Sequence, residues 1–137
     1  MTQKRYRDAG FTLIELMIVI AILGLMAYMV APRLMGVMGK AKPKIALTDI
    51  KNLETALDLF YLDVGRYPTD GEGLKALTQA PENLPNWGGP YLKKPPKDPW
   101  GRDYVYKFPG EHNPYDIMSY GADGQAGGEG ENADITN

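Results

Sequence analysis

The chain has 137 residues and a formal net charge of −2 at pH 7, which excludes the broad basic bias typical of a nucleic-acid-binding protein. It has no cysteine, so a domain of this chain is held together without disulfides. The length is sufficient for one small domain and a membrane anchor.

An apolar segment with the length of a membrane span lies near the N-terminus, at residues 10–31. A helix needs about 20 such residues to cross a bilayer. The basic leader before it, with Lys4, Arg5 and Arg7, predicts a cytoplasmic N-terminus. Because the small-residue pair suited to cleavage precedes the apolar run, the segment is predicted to stay on the mature protein as a single-pass anchor.

Residues 10–15, Gly-Phe-Thr-Leu-Ile-Glu, resemble the processing motif of the type IV pilin-like proteins. The resemblance implies that a prepilin peptidase removes residues 1–10, cutting between Gly10 and Phe11, and methylates the new N-terminus to N-methylphenylalanine. It also implies an assembly role for Glu15, the only acid of the apolar run. A buried charge needs a partner, so we hypothesise that Glu15 pairs with the Phe11 amine of a neighbouring subunit.

The helical pattern continues beyond the apolar run. Apolar residues recur at steps of three and four between residues 46 and 64, which indicates a helix with one buried face. We predict one long helix over residues 12–62, bent or partly unwound near Pro32 and Pro43, and ended by Gly65. The predicted division is a leader at 1–10, a transmembrane and assembly helix at 11–35, and a periplasmic globular domain at 36–137.

The region after Gly65 predicts short elements separated by turns. A short helix at 73–79 would be capped by Thr69 or Asp70. An ordered loop at 80–99 would bury some of its aromatic residues, and a tight turn would follow at 98–101. Strands are expected at 104–108 and 115–119. A small antiparallel sheet packed on the long helix gives an α+β fold.

Five segments in this region resemble the major pseudopilins of the type II secretion system, at residues 66–69, 72–74, 91–94, 98–101 and 119–124. The resemblance implies a type IV pilin-like fold and a subunit that polymerises with itself into a helical periplasmic pseudopilus, which drives export of folded proteins. Its implied partners are minor pseudopilins, the prepilin peptidase, the inner-membrane assembly platform and the outer-membrane secretin. The alternative is a type IV pilin or minor pilin for adhesion, motility or DNA uptake, against which the absence of cysteine weighs.

The C-terminal loop, residues 121–134, crowds four carboxylates into a glycine-rich segment. Composition alone favours a solvated acidic tail, although carboxylates and free carbonyls are also the ligands that Ca²⁺ prefers. The pseudopilin resemblance implies a Ca²⁺ site in this loop. It assigns Asp123 and Asp134 as ligands, with the carbonyl of Tyr120 as a third and Glu131 as a further candidate.

No catalytic constellation is recognisable in the sequence. His112 is the only histidine and Ser119 the only serine, and no pattern links either of them to a base or nucleophile. A membrane-anchored periplasmic enzyme or binding protein would also leave the early cleavage motif without a role. The sequence therefore predicts a structural subunit and not an enzyme.

Overall fold

A computed structural model of the chain describes residues 10–137, apart from the side chain of Met35. The leader charges and the orientation predicted from them lie outside these residues. In chain order, the elements are helix α1 (Leu13–Val64), a 3-10 helix (Gly73–Leu77), strands β1 (Val105–Lys107) and β2 (Asp116–Ser119), a second 3-10 helix (Gly130–Asn132) and strand β3 (Ile135–Thr136).

Helix α1 confirms the predicted long N-terminal helix and corrects one detail of it. The helix runs without interruption through Pro32 and Pro43, so of the two alternatives expected there the partial unwinding is absent, and a bend stays a prediction. A proline inside a helix removes its own backbone hydrogen bond and crowds the carbonyl four residues before it, while the flanking turns keep their hydrogen bonds. Gly65 follows the last helical residue with φ of 82°, a left-handed conformation that glycine adopts without strain.

The described chain divides into two compact units, one ending at Val37 and one comprising Met38–Asn137. The described part of the first consists of residues 10–12 and the N-terminal part of α1, and all of its described side chains are exposed. The second contains the rest of α1 and all other elements. Every member of the buried core belongs to this second unit.

The core of the second unit forms where one face of α1 meets the sheet and the first 3-10 helix. Ile50, Leu57 and Phe60 of α1 are fully buried, as the spacing of three and four predicts. They cluster with Leu77 of the 3-10 helix and Ile117 of β2. The helix-on-sheet packing expected for an α+β domain is therefore present.

The sheet has three antiparallel strands in the order β1-β2-β3, one strand more than predicted. Tyr106 pairs with Ile117 between β1 and β2, and Ser119 pairs with Ile135 between β2 and β3. Strand β3 has only two residues, so it carries no alternating pattern from which the sequence could reveal it. Its pairing places the end of the C-terminal loop beside β2, the strand after which the loop begins.

The loop before β1 is anchored by its aromatic residues, as predicted. Trp87 Nε1 donates to the carbonyl of Ala76 at 2.8 Å, and the ring of Tyr91 packs edge-on against Phe60. The tight turn at 98–101 is also present, since the backbone N–H of Gly101 donates to the carbonyl of Asp98 at 2.9 Å.

Arg66, Thr69 and Glu72 form a hydrogen-bonded cluster between α1 and the 3-10 helix. Arg66 binds both carboxylate oxygens of Glu72, at 2.7 and 2.9 Å. Thr69 N donates to Glu72 Oε2 and Glu72 N donates to Thr69 Oγ1, so the two residues bracket the turn before the 3-10 helix. The N-cap of that helix is Glu72, without a side-chain cap bond, so the predicted cap by Thr69 or Asp70 is wrong. The hydrogen bonds from Arg66, with those from Thr69, lower the pKa of Glu72 to about 2.

Glu72→Gln is expected to lower the free energy of unfolding by about 1–2 kcal/mol at pH 7 and much less near pH 2. The folded pKa lies below the usual 4.5, so the stabilisation is complete above pH 4.5 and is lost as the pH falls toward 2. Urea titrations at several pH values measure the difference between wild type and variant. A difference that stayed constant from pH 7 to pH 2 would contradict this assignment.

Candidate functional site

The start of α1 carries the predicted processing and assembly residues. Gly10 and Phe11 precede the helix, and the Phe11 side chain is 89% exposed. Thr12 N and Thr12 Oγ1 both donate to Glu15 Oε2, at 2.9 and 3.0 Å. Glu15 N lies 3.3 Å from Thr12 Oγ1, so the two residues form a capping box.

The capping box places the Glu15 carboxylate at the first turn of the helix, close to the predicted cleavage point. Sequence reasoning missed the partnership with Thr12, although Thr-x-x-Glu before an apolar run is its signature. In a single chain the cap satisfies helix N–H groups that have no helical partner. A carboxylate held there is also well placed to attract a positive charge near the N-terminus of another subunit.

Helix α1 is long and apolar enough over part of its length to cross a membrane, and that part buries none of its side chains within the chain. Leu13, Leu25 and Tyr28 are more than 60% exposed. So large an apolar surface requires lipid or other protein around it. This agrees with the predicted anchoring role of the segment.

The C-terminal loop is built from tight glycine turns. Gly121, Gly124, Gly127, Gly128 and Gly130 all have positive φ, between 60° and 92°. The backbone N–H of residue 124 donates to the carbonyl of residue 120 at 3.1 Å, and that of residue 122 donates to the carbonyl of residue 131 at 2.8 Å. The chain therefore folds back on itself here, with the carbonyls of residues 120 and 131 accepting bonds from within the loop.

The four predicted metal ligands occupy different settings in this loop. Asp134 is half-buried, and its Oδ2 accepts from Gly127 N at 2.8 Å. Its Oδ1 is buried and has no hydrogen-bond partner among residues 10–137. Asp123 is exposed, and its Oδ1 accepts from Gln125 N at 3.0 Å.

The other two predicted ligands are already engaged elsewhere. The carbonyl of Tyr120 accepts the bond from Gly124 N and has a second lone pair available. The carboxylate of Glu131 lies against Gly39 of α1, where an added Cβ would overlap it. Within the described residues, no group of three or more His, Cys, Asp or Glu side chains converges on one point. A cation here would therefore depend largely on carbonyl oxygens.

Sequence reasoning also missed a polar cluster next to the loop. Asp98 is buried, and its Oδ2 accepts from Ser119 Oγ at 2.7 Å. Its Oδ1 accepts from the backbone N–H groups of Trp100 and Arg102, at 3.0 and 2.8 Å. The guanidinium of Arg102 in turn donates to the carbonyls of Gly121 and Ala122.

The side chain of Asn137 fastens the chain after β3. Its Oδ1 accepts from Ile117 N at 2.9 Å, and its Nδ2 donates to the carbonyl of Tyr115 at 3.3 Å. A side-chain amide thus supplies the donor and acceptor that another strand residue would provide to β2. The end of the loop is held to the sheet by this bond pair as well as by β3.

Comparison with known proteins covers both parts of the chain. The family model "Type II secretion system (T2SS), protein G" matches residues 33–137, and "Prokaryotic N-terminal methylation motif" matches residues 5–31. The type II secretion system core protein G of Vibrio cholerae is 49% identical, over 98% of this chain and 94% of the relative. That of Pseudomonas aeruginosa is 46% identical, over 98% of this chain and 97% of the relative.

A solved structure shows the same fold. The crystal structure of the major pseudopilin from the type 2 secretion system of enterohaemorrhagic Escherichia coli superposes with a TM-score of 0.62 at 40% identity. The match covers 77% of this chain and 94% of that chain. The long N-terminal helix and the small antiparallel sheet are the shared features. The chain therefore belongs to the protein G family of the type II secretion system, as its motifs predict.

Proposed function

We propose that this chain is the subunit that polymerises into the periplasmic pseudopilus of a type II secretion system, and that the pseudopilus drives export of folded proteins across the outer membrane. The match to protein G over the globular part carries this proposal. The N-terminal methylation motif alone would fit any pilin-like protein, but the domain that follows is specific to the secretion family.

The exposed apolar part of α1 supports self-assembly. Before assembly this surface requires the inner membrane around it, and after assembly the same surface can pack against other copies. A head-to-tail contact that does not close generates a helical filament, so one repeated interface is sufficient. We propose that packing of these helices supplies most of the assembly energy and that Glu15 sets the register.

The proposed topology places the N-terminus in the cytoplasm and the second unit in the periplasm. The partners would be the prepilin peptidase, the inner-membrane assembly platform, minor pseudopilins and the secretin. The proposed role is structural and not catalytic. The support is the match to a family of secretion-system subunits.

We also propose that the C-terminal loop binds Ca²⁺ as a structural ion. The support is Asp134 Oδ1, because a buried carboxylate oxygen without a partner in the described chain is costly and a cation would satisfy it. Asp123 and the carbonyl of Tyr120 are the other proposed ligands. Glu131 would join them only by turning away from Gly39. The ion would hold the loop closed in a domain that has no disulfide.

Chelation by EGTA is expected to lower the melting temperature of residues 38–137, the unit that contains the whole core. At a calcium concentration one hundred times the dissociation constant, binding stabilises the folded state by about 2.7 kcal/mol. Asp134→Asn and Asp123→Ala should each abolish the calcium dependence. Glu129→Gln, in the same loop, is the control and should retain it. Identical melting curves with and without calcium would exclude a stabilising site.

Deletion of the gene in the source organism tests the proposed function. Exported enzymes should then accumulate in the periplasm instead of the culture supernatant, and the wild-type gene should restore their export. Normal export combined with loss of surface pili, twitching or DNA uptake would instead identify a type IV pilin, the alternative that shares the N-terminal motif.

A further inference from the structure

Asp98, Arg102 and Ser119 form a hydrogen-bonded cluster at the base of the C-terminal loop. Asp98 is only 5% exposed, and its carboxylate accepts three hydrogen bonds of 2.7–3.0 Å, from Ser119 Oγ and from two backbone N–H groups of the turn after it. Ser119 is also buried and ends β2. The cluster therefore joins the turn before β1 to the last residue of β2.

Arg102 extends this cluster into the loop. Asp98 fixes the backbone of Arg102 through two bonds, since Asp98 N also donates to the carbonyl of Arg102 at 2.8 Å. The guanidinium then reaches the loop with its two terminal nitrogens: Nη2 donates to the carbonyl of Gly121, and Nη1 donates to that of Ala122 at 3.3 Å. Gly124 lies against the same group, because an added Cβ there would be 3.1 Å from Cζ.

These contacts differ from those of an ordinary surface ion pair. Arg102 Nε lies 3.9 Å from Asp98 Oδ2, too far for a hydrogen bond, whereas the bonds to the loop carbonyls are directed. The carbonyls of Gly121 and Ala122 both accept from the guanidinium, so one cation stands beside two partial negative charges. The planar guanidinium offers two parallel donors, which the single ammonium of lysine does not.

We propose that Arg102 is the positioning residue of the C-terminal loop. Held by Asp98, its guanidinium gathers the carbonyls of Gly121 and Ala122 and so sets the position of Asp123, the next residue. The Arg102 guanidinium thus places a positive charge against the loop at the end where the chain leaves β2. The role of Arg102 in placing Asp123 as a calcium ligand rests on the proposed calcium binding. Its role in holding the loop closed does not depend on calcium.

Proteolysis of the full chain in detergent tests loop closure. A glutamate-specific protease in the presence of EGTA has two exposed targets in the loop, Glu129 and Glu131. Arg102→Gln should raise their cleavage rate about tenfold, the factor that corresponds to losing a hydrogen bond to a charged group. Arg102→Lys should give an intermediate rate. Lys107→Gln, which removes a cation from an exposed ion pair in β1, should leave the rate unchanged.

The calcium dependence of the melting temperature separates the two proposals. Arg102→Gln should require about tenfold more calcium than wild type to reach the same rise in melting temperature. Arg102→Lys should require an intermediate calcium concentration. If wild type shows no calcium shift, the calcium proposal fails and the proteolysis rates decide the role of Arg102. Wild-type cleavage rates in Arg102→Gln would overturn the role of Arg102. Should Arg102→Gln fail to fold, as judged by circular dichroism, Arg102→Lys decides by the same two measurements.

Discussion

Replacing Glu15 with alanine is expected to abolish pseudopilus assembly while leaving cleavage after Gly10 intact. The predicted cleavage would create a positively charged amine on Phe11 at the edge of the hydrocarbon. A buried charge that loses its partner costs several kcal/mol, so subunits without the carboxylate should not enter the filament in register. Electron microscopy of sheared filaments measures assembly, and the mass of the subunit measures cleavage and methylation.

Two further substitutions separate the charge of Glu15 from its capping role. Glu15→Gln keeps an oxygen that can accept from Thr12 N, but removes the charge, so assembly should fail as it does with alanine. Thr12→Ala removes the hydroxyl from the capping box and should weaken the helix start by about 1 kcal/mol without preventing assembly. Normal filaments from Glu15→Gln would exclude the charge pairing.

Phe60→Ala is expected to lower the free energy of unfolding of the second unit by about 3–5 kcal/mol. The side chain is fully buried in the core face of α1 and packs edge-on against Tyr91, with ring centroids 5.7 Å apart. Its loss leaves a cavity between α1 and the loop before β1. A domain of this size has only about 5–15 kcal/mol of stability in total, so much of the variant would unfold near 37 °C. Urea unfolding followed by tryptophan fluorescence measures the change.

Leu62→Ala is the matched control for this prediction. Leu62 lies two residues further along the same helix but is 77% exposed, so its truncation should change stability by no more than about 0.5 kcal/mol. Equal losses in the two variants would mean that the buried face of α1 is not the one that the structure assigns. A loss of assembly in Leu62→Ala without a loss of stability would place this residue in a contact between subunits.

Several features that sequence reasoning predicted correctly depend only on neighbours along the chain. The helix period from Ile50 to Phe60, the helix end at Gly65 and the turn after Asp98 are each encoded within a few residues. Partial unwinding at Pro32 and Pro43, one of the two alternatives expected there, is absent because the flanking turns keep the helix continuous, and a bend at these prolines stays a prediction. Strand β3 is too short to carry a local signal.

The sequence by itself determined the apolar segment, the N-terminal methylation motif and the family, because each of these is a pattern along the chain. Only the tertiary structure decided the surroundings of the C-terminal loop. Ser119 meets Asp98 across 21 positions of sequence, and Arg102 reaches Gly121 across 19. Such pairs depend on how β2 is packed and paired, since no spacing along the chain encodes a contact that arises when distant segments fold together.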